Sequence, residues 1–146
     1  MTPFLTLLSS GIFTALAALH LYWVMGGRAG LEAALPQFSG SSSSPGGSSV
    51  FRPPKVMTLL VALALLGAAG LVSLEGGFWS LSGLKDWIHG ATLLLSGVLL
   101  ARAVGEFRYV GFFKTVRDTR FGQLDTRFYS PLCLFLGLAV LWVALN

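Results

Sequence analysis

ARAVGEFRYVGFFKTVRDTRFGQLDTRFYSPLC, residues 101–133, decides how the rest of the chain is read. It carries Arg102, Arg108, Lys114, Arg117, Arg120 and Arg127, six of the ten Lys and Arg residues in a protein of 146. Phe107, Tyr109, Phe112, Phe113, Phe121, Phe128 and Tyr129 stand among them, and both flanks are almost wholly apolar. Cations interleaved with rings, at a hinge between apolar runs, suit the headgroup layer of a bilayer on its cytoplasmic side. Asp118-Thr119-Arg120-Phe121 recurs seven residues on as Asp125-Thr126-Arg127-Phe128. Gly122 between the copies predicts two short turns, each opened by an Asp that caps backbone N–H groups. Ser130-Pro131 then predicts the cap and first position of a last helix. The stretch reads as a structured connector lying against a membrane.

Composition agrees. The chain is 54% hydrophobic and 11% charged, against about 25% charged in soluble domains. Four apolar runs, at about 4–25, 56–74, 84–104 and 129–145, are each close to the length that crosses a bilayer. The fold class expected is therefore all-α: one membrane domain, a four-transmembrane-helix bundle with its structured connector between helices three and four. The net charge of +4 is modest and sits in loops beside apolar spans, which fits anionic lipid rather than nucleic acid. A lone cysteine, Cys133, excludes an internal disulfide and a multi-cysteine metal site.

Small and polar residues mark the expected packing seams. They are Gly11, Ala15, Ala18 and Tyr22 in the first span and Ala62, Ala69 and Ser73 in the second. The third offers His89, Thr92, Ser96 and Ala103, and the last Cys133, Gly137, Val140 and Ala144. Residues 28–35, RAGLEAAL, predict one short interfacial turn. Residues 37–49, QFSGSSSSPGGSS, have the composition of a flexible linker. Phe78, Trp79 and Trp87 suit an interfacial aromatic belt. Nine basic residues lie in the first and third loops, where Arg28, Arg52 and Lys55 join the six above, against Lys85 alone in the second. That bias places the first and third loops in the cytoplasm and both termini outside it.

Few residues offer chemistry. His20 and His89 fall near opposite ends of their spans, at depths differing by roughly 15 Å, too far for a shared metal or haem; no cofactor is expected. His89 is expected to bond Thr92, Ser96 or nearby backbone. His20 is expected at the cytoplasmic interface, where with Arg108, Lys114 or Arg117 it would hold an anionic headgroup and titrate near neutrality; simple anchoring is the other reading. Glu75 and Asp86 read as a solvated loop, and Arg102 with Glu106 as a helix-surface pair.

At His20-Leu21-Tyr22-Trp23-Val24-Met25-Gly26-Gly27-Arg28, the chain resembles a family of small bacterial membrane proteins catalogued as a domain of unknown function. The resemblance returns at Gly111-Phe112-Phe113-Lys114, Asp125-Thr126-Arg127 and Tyr129-Ser130-Pro131-Leu132-Cys133. It implies a four-helix protein of the bacterial inner membrane, assigns no activity, and gives weight to His20, Trp23, Lys114, Asp125 and Tyr129. The expected function is binding of a lipid or amphiphilic ligand at the cytoplasmic face. Candidate residues are His20, Trp23, Arg108, Lys114, Arg117, Asp125, Arg127 and Tyr129, with His89 secondary. The alternatives are an enzyme acting on a lipid or isoprenoid and a helper subunit of a membrane complex. Orientation is directly testable: a reporter fused after Asn146 is expected to be active only outside the cytoplasm, and activity only inside would refute the topology.

Overall fold

The structure, a computed structural model, describes residues 1–35, 37–38, 49–50, 53–79, 81, 83–105, 110–115 and 120–146. Four long helical runs dominate it. Helix α1 spans Thr2–Val24, a short α2 Leu31–Ala34, α3 Lys55–Glu75 and α4 Lys85–Val104. The last run is α5 (Arg120–Leu124), a π-helical turn (Asp125–Tyr129) and α6 (Ser130–Leu145). Each of the four runs, the last counted from Arg120 to Leu145, is long and apolar enough to cross a membrane. The first three helices lie over the apolar runs at 4–25, 56–74 and 84–104, and the last helical run begins at Arg120, well before residue 129.

Two antiparallel strands, β1 (Gln37–Phe38) and β2 (Ser49–Val50), bracket the Ser/Gly stretch, Gln37 opposite Val50 and Phe38 opposite Ser49. Residues 39–48 of the expected flexible linker lie outside the described residues.

The turns out of α1 and α3 share one device. Gly26 at φ 100° and Gly77 at φ 80° adopt the left-handed conformation that suits glycine. Beyond them the Gly27 N–H reaches Tyr22 O and the Phe78 N–H reaches Ser73 O. This six-to-one closure satisfies end carbonyls that would otherwise stay unpaired.

Helix α1 packs chiefly on α3 and α4 chiefly on α6. The two pairs meet around Phe13, Ala68, Ala69, Val72, Leu136, Val140 and Val143. Small residues and hydroxyls let the backbones approach. Ser10 Oγ lies 3.0 Å from Ser73 Oγ and donates to Ala69 O, and Ser96 Oγ donates to Gly137 O across α4 and α6 at 2.8 Å. Ala62, Ala69, Thr92, Ser96, Ala103, Gly137, Val140 and Ala144 are buried, as their spacing predicts. The seam of α1 is a correction. Gly11, Ala15, Ala18 and Tyr22 are exposed, and the packed face is Thr6, Ser9, Phe13 and Ala17. Two hydroxyls rather than two small residues mark the face that must leave lipid.

Helices α4 and α6 approach closely at Gly137. A Cβ added there would stand 2.8 Å from the Leu100 side chain and 3.2 Å from its backbone nitrogen. Gly137→Ala should therefore destabilise the bundle by about 1–3 kcal/mol through overpacking, as read by denaturant unfolding in mild detergent.

Candidate functional site

The connector closes on one buried carboxylate. Asp125 has no solvent exposure and Lys114 has 1%. Asp125 Oδ1 accepts from Arg102 Nη2 at 2.8 Å. Its Oδ2 accepts from the Gly111 N–H at 2.8 Å, Lys114 Nζ at 2.9 Å and Ser130 Oγ at 3.0 Å. Lys114 Nζ also donates to Thr126 Oγ1 at 2.6 Å and Gly111 O at 3.2 Å. A carboxylate has about four lone-pair sites and an ammonium three donors, so both groups are committed. That commitment lets the ions stay buried, since desolvation costs several kcal/mol per ion.

Local structure delivers these groups. Arg102 lies in the last turn of α4, where a cation is favoured by the helix dipole. Gly105 at φ 90° and Gly111 at φ 92° then bring two backbone segments together; a Cβ at Gly105 would overlap Val110 O. The Phe112 N–H donates to Ala103 O at 2.9 Å, which turns 110–115 back against α4. The π turn widens the helix so that the Ser130 N–H bonds Asp125 O, five residues back. The same register carries Ser130 Oγ to the Asp125 carboxylate.

Several expectations for the connector are corrected here. Neither Gly122 nor Ser130 interrupts the helix: residues 120–145 run continuously, and Ser130 is in helical conformation without capping. Asp125 is not an exposed cap but the acceptor at the centre of the cluster. Arg102 serves Asp125. Its expected partner Glu106 lies outside the described residues, as do Arg108, Arg117 and Asp118. Among the described residues Arg102 Nη1 is buried without a hydrogen-bond partner.

The remaining candidates divide between two other places. Tyr129 packs beside Phe121, and its hydroxyl donates to Ala33 O at 3.3 Å, tying α2 to the last helical run. Arg127 is exposed, its guanidinium 5.8 Å from the Phe128 ring centre. The His20 Nδ1–H donates to Leu16 O at 2.8 Å, and the ring meets Trp23 edge-on at 4.9 Å. The Trp23 indole donates to Ala29 O at 2.9 Å. His20 and Trp23 line a cavity of about 270 Å³ with Leu31, Ala34, Leu35, Pro53, Met57, Thr58 and Val61. No described residue from 110–129 lines it. Helix α2 lines the His20 cavity through Leu31 and Ala34 and is tied to the last helical run by the Tyr129 hydroxyl.

An adjoining cavity of about 330 Å³ shares Trp23, Leu31, Pro53 and Thr58 with the first and adds Gly26, Gly27, Arg28 and Lys55. Neither Arg28 nor Lys55 drew attention as a site residue in sequence. Their nearness to a loop glycine pair and a proline pair was the available signal.

At the opposite end of the bundle His89 Nδ1 bonds Glu75 Oε1 at 2.8 Å. This corrects two expectations. His89 does not serve Thr92 or Ser96, whose hydroxyls bond Ile88 O and Gly137 O. Glu75, with 12% of its side chain exposed, is not a freely solvated loop residue. Among the described residues no group of three or more His, Cys, Asp and Glu could hold a metal ion.

Four crossing helices closed at one end by a buried ion cluster define a multi-pass membrane protein. The chain belongs to DUF3995, a family of proteins of unknown function, whose pattern matches residues 13–140. No curated protein and no solved structure matches it.

The committed carboxylate yields a stability prediction. Asp125→Ala leaves two cations without their partner and should cost about 3–5 kcal/mol. Ser130→Ala removes one hydrogen bond to a charge and should cost about 1.5–3 kcal/mol. Unfolding in mild detergent checks both, and an Asp125→Ala protein as stable as wild type would rule out the cluster's structural role.

Proposed function

We propose that this protein, lodged in a bacterial inner membrane with the connector on the cytoplasmic side, binds an anionic amphiphile without covalent chemistry. The site is the cleft between the end of α1, the start of α3 and α2. One observation carries the reading: the two adjoining cavities pass from an apolar part to a cationic part. Leu31, Leu35, Met57 and Val61 line the inner portion and suit hydrocarbon. Arg28 and Lys55 line the other and suit an anionic headgroup. Both cations are exposed, and among the described residues neither makes an ion pair. In a partly dry interface each attracts an anion more strongly than in bulk water. His20 and Trp23 line the apolar portion, and Trp23 also lines the portion with Arg28 and Lys55.

A helper-subunit role is the second reading, and Gly11, Ala15 and Ala18 favour it by standing exposed along α1. A helix of another chain could approach closely there. The graded cleft supports the first reading, because a purely structural subunit needs no such cavity.

Native mass spectrometry from mild detergent, with phosphatidylglycerol and phosphatidylcholine offered together, tests the proposal. Wild type should retain the anionic lipid preferentially. Each basic residue near an anionic surface is worth about 1 kcal/mol. Arg28→Gln with Lys55→Gln should then weaken that preference by about 2 kcal/mol, roughly 30-fold. An unchanged preference in the double variant would defeat the proposal.

A further inference from the structure

The end of the bundle opposite the connector holds a larger cavity, about 520 Å³, lined by Leu74, Glu75, Gly77, Trp79, Leu81, Gly83, Lys85 and Ile88. Its size falls within the range of small-molecule sites. Two of its charges stand where their own helices disfavour them. Glu75 is the last residue of α3, at the negative end of the helix dipole. Lys85 is the first residue of α4, at the positive end. The two are not paired with each other, and among the described residues Lys85 has no ion-pair partner. His89 occupies only Oε1 of Glu75. Lys85 thus breaks a local rule with no compensating ion pair among the described residues, and Glu75 does so with one oxygen held by His89; such charges are characteristic of functional positions.

We infer that this cavity binds a zwitterion bearing a primary ammonium and a phosphate, with the ammonium at Glu75 and the phosphate at Lys85. One such ligand would answer both charges at once. The ammonium donates to the open Oε2 of Glu75, whose carboxylate is held in place by His89. The phosphate meets the Lys85 ammonium. Trp79 is exposed and lines the cavity, and an indole there is of the kind that attracts a cation. Leu74, Leu81 and Ile88 supply apolar wall for a glycerol backbone or the start of acyl chains. A primary ammonium is specified because a quaternary one has no N–H to donate to Oε2. The two sources of this chemistry are a phosphatidylethanolamine headgroup and a soluble phosphoethanolamine-type compound.

Native mass spectrometry with equimolar phosphatidylethanolamine and phosphatidylcholine decides the matter. It is run on the full chain carrying Arg28→Gln and Lys55→Gln, so that the cleft at the other end does not contribute. The ethanolamine lipid should be retained at least about fivefold over the choline lipid. Glu75→Gln and Lys85→Gln should each reduce that retention about tenfold. Lys85→Gln is the decisive variant, because among the described residues Lys85 makes no ion pair whose loss could unfold the turn between α3 and α4. Displacement of the lipid by millimolar phosphoethanolamine would show that the headgroup alone is recognised; retention in its presence would assign the site to the intact lipid. Equal retention of the two lipids, or undiminished ethanolamine-lipid binding by Lys85→Gln, would overturn the inference.

Discussion

The Asp125 carboxylate is the constraint from which the connector end of this protein follows. A carboxylate removed from water must be met by donors on nearly every lone pair, or its burial is prohibitive. Here the donors come from the last turn of α4, from the 110–115 segment through Gly111 and Lys114, and from the first residue of α6. Meeting them requires that the chain leave α4 through glycines able to sit at positive φ, and that the last helix widen to a π turn beneath Ser130. The connector is thus shaped by one anion. Its Lys and Asp are the two ends of an internal tie, although in sequence they resemble surface charges suited to lipid headgroups.

How much of this was legible in sequence depended on what each residue type can signal. Span length and the number of helices were readable because twenty apolar residues have few other uses. The seams of α3, α4 and α6 were readable too, since Ser73, Thr92, Ser96 and Gly137 are exceptions in an apolar background. The seam of α1 was misread because small apolar residues are as comfortable against lipid as against protein. Gly11, Ala15 and Ala18 therefore carry no directional information, whereas Thr6 and Ser9 do.

The site was harder, for a different reason. Arg102 reaches Asp125, and nothing in a linear sequence points to a contact 23 residues away. Glu75 and His89 were both noticed, but fourteen residues and a turn separate them. Periodicity describes one helix at a time and says nothing of which helix faces it. His20 and Lys114 share an end of the bundle, as the positive-inside bias implies. Yet the cavity beside His20 is lined by α2, which the Tyr129 hydroxyl anchors through Ala33 O, and by no described residue of 110–129.

Charges in this protein differ chiefly in whether they are satisfied. Asp125 and Lys114 are buried, fully bonded and mutually compensating, so a ligand would have to break existing contacts to reach them. Arg28, Lys55 and Lys85 make no ion pair among the described residues, and each lines a cavity with apolar walls. Glu75 is intermediate, with one oxygen held by His89 and the other open. Arg28, Lys55 and Lys85 are exposed, so each can take a partner without first breaking an ion pair. Such a placement is useful where a partner arrives from outside. The same distinction gives the Lys114–Asp125 cluster a structural role and is the ground on which binding is proposed for the cavities at the two ends. It also explains why the residues that first draw the eye in sequence, Asp125 and Lys114, are the least available for chemistry.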